Sequence, residues 1–162
     1  MQFKKSVFLL LVATLMSGCV PKEYTKQKSV FIVFKTPTFK YADLGFIYEN
    51  TEEIKVEMYS NGQPILALEI EKENVCMSLF ECMDKESFNQ KILSQYYPLD
   101  ILKHIFTAQK IFSNKNVVKT RNGFTQHLVK MGQYDINYSV LNKQVIFRDT
   151  INDILIKVKR LK

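Results

Sequence analysis

This sequence predicts an α+β fold, an antiparallel sheet curling around one or two helices, and three observations carry that prediction. Apolar and polar residues alternate with a period of two through most of the chain. Turn-forming pairs such as Asn61-Gly62 interrupt the alternation at hairpin spacing. One central stretch switches to a helical period. The resulting order is about five strands, two helices and about five strands, which fits strands and helices segregated along the chain.

Val30 to Phe34 is apolar at every position, so a strand covered on both faces is expected there. Ile54, Val56 and Met58 then alternate with Glu53, Lys55 and Glu57, and Leu66, Leu68 and Ile70 follow the Asn-Gly turn interleaved with Ala67, Glu69 and Glu71. From Asp84, a residue suited to the N-cap, the segment Lys85 to Tyr96 places Phe88, Ile92, Leu93 and Tyr96 on one helical face. Pro98 suits the first turn of a second helix carrying Leu99, Leu102, Ile105 and Phe106. Alternation resumes at Tyr134, Ile136, Tyr138 and Val140, turns at Asn142-Lys143, and continues through Val145 and Phe147 to Ile154, Ile156 and Val158.

The amino terminus has a different character. Lys4 and Lys5 precede an apolar run from Val7 to Met16, and the run ends in Ser17-Gly18-Cys19. A basic start, a short hydrophobic core and small residues before a cleavage point make a secretory signal over residues 1–18. The run is about half the roughly 20 residues that a spanning helix needs. Cys19 after Ser-Gly resembles the lipobox of bacterial lipoproteins, which implies that its thiol receives a diacylglycerol and becomes the first mature residue. An ordinary signal peptide with a chance cysteine is the alternative. Residues 19–28 then form an acylated tether, polar and without periodicity, and 29–162 form one folded domain.

The resemblance to lipoproteins also implies an address. Val20 follows the cysteine where aspartate favours retention in the inner membrane, so the expected location is the outer membrane, lipid-anchored and facing the periplasm. That compartment is oxidising, and Cys76 and Cys82 could close a disulfide there; two neighbouring buried thiols are the alternative. Their spacing is not Cys-x-x-Cys, so no redox role is expected.

The formal charge of +7 falls by the two signal lysines on processing. Basic groups gather at Lys157, Lys159, Arg160 and Lys162 and at Lys115, Lys119 and Arg121, which suits anionic headgroups or simply solubility. Nucleic acid is excluded by compartment. The two histidines, His104 and His127, lack a ligand partner at i+4, and neither a phosphate loop nor a nucleophile elbow occurs. No enzyme, metal or cofactor is expected.

The order of elements resembles the LolB family of outer-membrane lipoproteins over roughly residues 39–161. The residues that carry it are the hairpin Tyr59-Ser60-Asn61-Gly62, the helix opening Pro98-Leu99-Asp100-Ile101-Leu102, the Asn122-Gly123 turn before an amphipathic strand, and the closing strand Ile154 to Leu161. The family has an apolar residue at the hairpin tip, where this chain has Asn61-Gly62-Gln63. The resemblance implies an incomplete antiparallel barrel, a half-barrel with helices over its apolar inner face. It also implies a role in accepting acylated lipoproteins from a soluble periplasmic carrier of the LolA type and passing them to the outer membrane.

Acyl chains need a continuous apolar trough, since burial is worth about 25 cal/mol per Å². Its inward candidates are Ile54, Val56, Met58, Leu66, Leu68, Ile70, Tyr134, Ile136 and Tyr138, with Phe88, Ile92, Leu102 and Phe106 lining a helical lid. The same pattern fits a core filled by side chains. A non-transporting accessory lipoprotein that scaffolds an outer-membrane assembly complex is therefore the main alternative, and a surface-exposed adhesin is a third.

Overall fold

The computed structural model describes residues 22–78 and 80–161. The signal segment and the acylation candidate Cys19 lie outside them. In chain order the elements are β1 (Lys26–Lys35), β2 (Lys40–Glu49), β3 (Ile54–Ser60), β4 (Gln63–Ile70), β5 (Asn74–Met77) and β6 (Phe80–Asp84). Helices α1 (Lys85–Ile92) and α2 (Ile101–Phe106) follow, then a 3₁₀ turn at Phe112–Asn114. The chain ends with β7 (Val117–Thr120), β8 (Gly123–Lys130), β9 (Tyr134–Leu141), β10 (Gln144–Asp149) and β11 (Ile154–Arg160).

All these strands form one sheet of 11, in the order β6-β5-β4-β3-β2-β1-β11-β10-β9-β8-β7. Every neighbouring pair is antiparallel. The sheet is therefore two meanders joined at the centre by β1 and β11, where Val30 lies opposite Arg160 and Phe34 opposite Ile156. β6 and β7 are its two edges, so the sheet is open. The two helices are short, 8 and 6 residues, and the molecule is mostly β.

Alternation sets the faces. Ile54, Val56 and Met58 in β3 and Leu66, Leu68 and Ile70 in β4 are all at most 2% exposed, while Lys55, Glu57 and Glu69 point to the other side. The turn between them places Asn61 at φ 51° and Gly62 at φ 78°, the left-handed pair that a tight hairpin requires. Gly123 is also constrained: at φ +147°, a Cβ there would lie 1.9 Å from the Val140 carbonyl oxygen of the adjacent strand.

Four expectations need correction. The apolar run of β1 is not covered on both faces: Val30, Ile32 and Phe34 are buried, whereas Phe31 and Val33 are half-buried on the outer side. The first helix stops at Ile92 rather than Tyr96, which leaves Tyr96 42% exposed. The second begins at Ile101, so Leu99 precedes it, 55% exposed. Strand β1 also starts at Lys26, within the span assigned to the tether.

Local chemistry explains the helix boundaries. Asp84 caps α1 by accepting a 2.8 Å hydrogen bond from the Ser87 amide. Buried Asn89 donates to the carbonyls of Tyr97 (3.3 Å) and Pro98 (3.1 Å), folding the chain back before α2. Lys85 at the start of α1 meets Asp100 just before α2 at 2.6 Å. The two helices thus form one cross-braced unit on the apolar face of the sheet.

Candidate acyl-chain site

The proposed trough residues come together. Ile54, Val56, Met58, Leu66, Leu68, Ile70, Ile136 and Tyr138 from the sheet share one buried cluster with Phe88, Ile92, Leu102 and Phe106 from the helices. Tyr134 is partly buried and packs against its edge. The central rows contribute as much: Val30, Ile32 and Phe34 of β1, Phe147 of β10 and Ile156 of β11 are each at most 1% exposed. Phe147 and Ile156 stand at period-two positions in the sequence, whereas Val30, Ile32 and Phe34 lie in a run that is apolar at every position, and none of the five is among the trough candidates. On α2, Ile101 and Ile105 are fully buried.

Aromatic edges tie lid to sheet. The Phe106 ring meets Phe34 at 6.4 Å, and Tyr97, between the helices, meets Phe147 at 5.6 Å. Tyr97 also donates its hydroxyl to the Asp149 carboxylate, and Tyr138 donates to the Gln109 carbonyl at 2.7 Å. Burial pushes the phenol pKa of Tyr97 and of Tyr138 well above the ordinary value, with Asp149 adding to the shift at Tyr97. Both therefore act as fixed donors at neutral pH. The segment after α2 is held by Gln126, 2% exposed, whose amide exchanges hydrogen bonds with Ile111 (2.9 and 3.0 Å) and donates to the Lys115 carbonyl at 2.6 Å.

Two openings adjoin this cluster. The smaller is an apolar slot of about 140 Å³ beside Phe106, bounded by Val30, Ile47, Val145 and Val158, with Lys28, Lys143 and Arg160 at its rim. Lys28 is ion-paired to Glu49. The larger, about 1180 Å³, is a polar cleft where the β2–β3 and β4–β5 turns face the helix starts, lined by groups such as Glu53, Glu71, Lys85 and Asp100. Charged walls make it unsuited to hydrocarbon.

Lys22 crosses the edge of the polar cleft and meets Glu53 at 2.7 Å, Glu71 at 3.2 Å and Glu69 at 3.5 Å. The hydrogen bonds that Lys22 donates to Glu53 and Glu71 raise its ammonium pKa. Burial opposes ionisation of Glu53, but hydrogen bonds from Lys22 and Tyr24 and the charges of Lys22 and Lys55 together outweigh it and hold the carboxyl below its ordinary value. The next residues are also docked: Tyr24 stacks at 5.5 Å from Tyr48, and the Thr25 amide donates to the Glu49 carbonyl at 3.0 Å.

Cys76 and Cys82 are joined by a disulfide across β5 and β6. His104 lies in α2 with its Nδ1 buried and without a hydrogen-bond partner among the described residues. His127 is exposed on β8 and meets Asp135 at 2.9 Å. No group of three or more His, Cys, Asp or Glu among the described residues is arranged to hold a metal ion. No helix among them is long and apolar enough to cross a membrane. The β3–β4 hairpin tip is polar and exposed, and Met131 at the β8–β9 turn is 95% exposed. No protein-family model matches the chain, and no curated protein matches it significantly.

Proposed function

We propose that this chain is a lipoprotein held on the periplasmic face of the outer membrane by acylated Cys19. Its half-barrel accepts acylated lipoproteins from a soluble LolA-type carrier and passes them to the membrane. The observation that carries the reading is the unbroken apolar face running across the sheet from Ile54 to Tyr138, covered by two short helices and the segment after them.

The energetics fit a lid that exchanges for cargo. Ligand sites typically measure about 300–1,000 Å³, and the slot beside Phe106 has about 140 Å³. Acceptance therefore requires Leu102, Ile105 and Phe106 to withdraw and hydrocarbon to take their place. The apolar area buried against the sheet stays nearly constant in that exchange, so what resists it is the polar bracing of the lid rather than the hydrophobic effect.

The filled state of the same core favours a second reading, a non-transporting accessory lipoprotein that scaffolds an assembly complex. A transfer assay separates the two. Carrier loaded with an acylated lipoprotein is mixed with the chain from Lys22 onward, and the proteins are separated by affinity tag. Cargo moving to this domain supports the acceptor role. Cargo staying on a competent carrier sinks it and leaves the scaffold reading.

A further inference from the structure

The end of the sheet from which the tether leaves carries a second feature. The inward-facing row of β1 reads Lys28, Val30, Ile32, Phe34, and that of β11 reads Ile154, Ile156, Val158, Arg160. Both rows are apolar until the rim and end there in a cation. Arg160 donates its amide to the Lys143 carbonyl at 3.2 Å, which sets the β9–β10 turn beside it. Lys143 and Arg160 are exposed, and neither has an ion pair among the described residues. Directly inside them lies the 140 Å³ apolar slot, closed by Phe106 and Ala108. That volume is close to the roughly 150 Å³ of an apolar protein cavity that stays dry and admits benzene.

We propose that this rim is a phospholipid-contact surface, with Lys143 and Arg160 engaging the phosphate of an anionic lipid and the slot taking the end of one of its acyl chains. The chemistry discriminates between possible guests. An acylated cysteine carries hydrocarbon but no phosphate, so two unpaired cations at an apolar opening fit a membrane phospholipid better than lipoprotein cargo. Chain geometry supplies the supply of lipid. Lys22 is clasped by Glu53, Glu69 and Glu71 at this end of the sheet. Cys19 is three residues away, within about 11 Å at the maximal reach of about 3.6 Å per residue. Given the anchoring of Cys19, on which this step rests, the bilayer faces the same end of the sheet as the rim.

The test is hydrogen exchange on the acylated full-length protein in vesicles of phosphatidylcholine alone and of phosphatidylcholine with phosphatidylglycerol. Amides of residues 142–145 and 158–161 are expected to exchange more slowly on the anionic vesicles, by about fivefold for each engaged cation. The variant Lys143→Gln/Arg160→Gln, altered only at exposed side chains, is expected to lose that difference. Equal exchange on both vesicle types, or an unchanged difference in the variant, overturns the proposal. The transfer assay reads the acceptor role separately. Cargo uptake with no vesicle difference removes the lipid surface alone, and a vesicle difference with no uptake removes the acceptor role alone.

Discussion

The hydroxyl of Tyr97 donates to the carboxylate of Asp149 at 2.5 Å, and this bond latches the helical lid to the far end of β10. Asp149 is 1% exposed and is anchored in turn by the amides of Asp135 (3.1 Å) and Ile151 (2.9 Å) and by the Asn152 side chain (2.7 Å). Tyr97→Phe leaves one buried carboxylate oxygen short of a donor and is expected to lower stability by about 1–3 kcal/mol. Urea unfolding reads this directly. If the lid withdraws for cargo, the same variant also accepts cargo faster in the transfer assay. A destabilised variant with unchanged or slower uptake places the latch outside the opening motion.

Lys22→Ala strands Glu53, whose side chain is 7% exposed. Lys22 itself is about half exposed, so the expected loss is about 1–2 kcal/mol, below that for a fully buried pair. Glu53→Gln in the same background is expected to recover most of it, because the neutral amide no longer needs a cation. Thermal unfolding of the two variants checks the pair. No recovery in the double variant shows that Lys22 acts through packing instead.

Reducing the Cys76–Cys82 bridge is expected to lower stability by about 2 kcal/mol, the modest value for a loop this short. The effect concentrates at one sheet edge, since β5 and β6 are the outermost strands on that side. Faster hydrogen exchange in residues 74–84 with reductant, and little change in β1 or β11, is the expected pattern.

Burial lowers the His104 pKa from its ordinary 6.5, with Asp100 opposing the shift and Lys103 and Lys85 adding to it. Below pH 6.5 the unfolded chain takes up this proton while the folded chain does not, so stability falls as pH drops through that value. The carboxyls of Glu53 and Glu57 are held below 4.5, so their contribution is present above 4.5 and disappears as pH falls through their folded pKa values. Urea midpoints measured at pH 7.5 and 5.5 are expected to decline for the native chain, and the decline should shrink in His104→Gln. An equal decline in both assigns the titration to another group.

Much of this architecture was legible because alternation is a local property. The rows of β3 and β4, the Asn61-Gly62 turn and the Asp84 cap could each be read from a few residues. Helix ends were less legible. Leu93, Tyr96 and Leu99 continue a helical apolar period, but Asn89 bonds to the Tyr97 and Pro98 carbonyls and turns the chain instead. Long-range partners left no local trace: nothing near Lys22 announces Glu53, Glu69 and Glu71, and nothing near Tyr97 announces Asp149. The two-sided apolar reading of β1 failed for a related reason. Phe31 and Val33 are half-buried on the outer face, where the strand between β2 and β11 has no second layer above it.

The pairing of β1 with β11 has a consequence for biogenesis. Val30 and Arg160 are neighbours in space yet stand near opposite ends of the chain, so contact order is high and folding is expected to be slow. A polypeptide made amino terminus first presents β1 to β6 before its last strand exists. During that interval the free edge of β1 is an unpaired template for other strands, and β11, the last element to emerge, is what seals it. The two halves thus join only once the entire chain is free, and until then the unfinished molecule is at its most prone to pair with another chain.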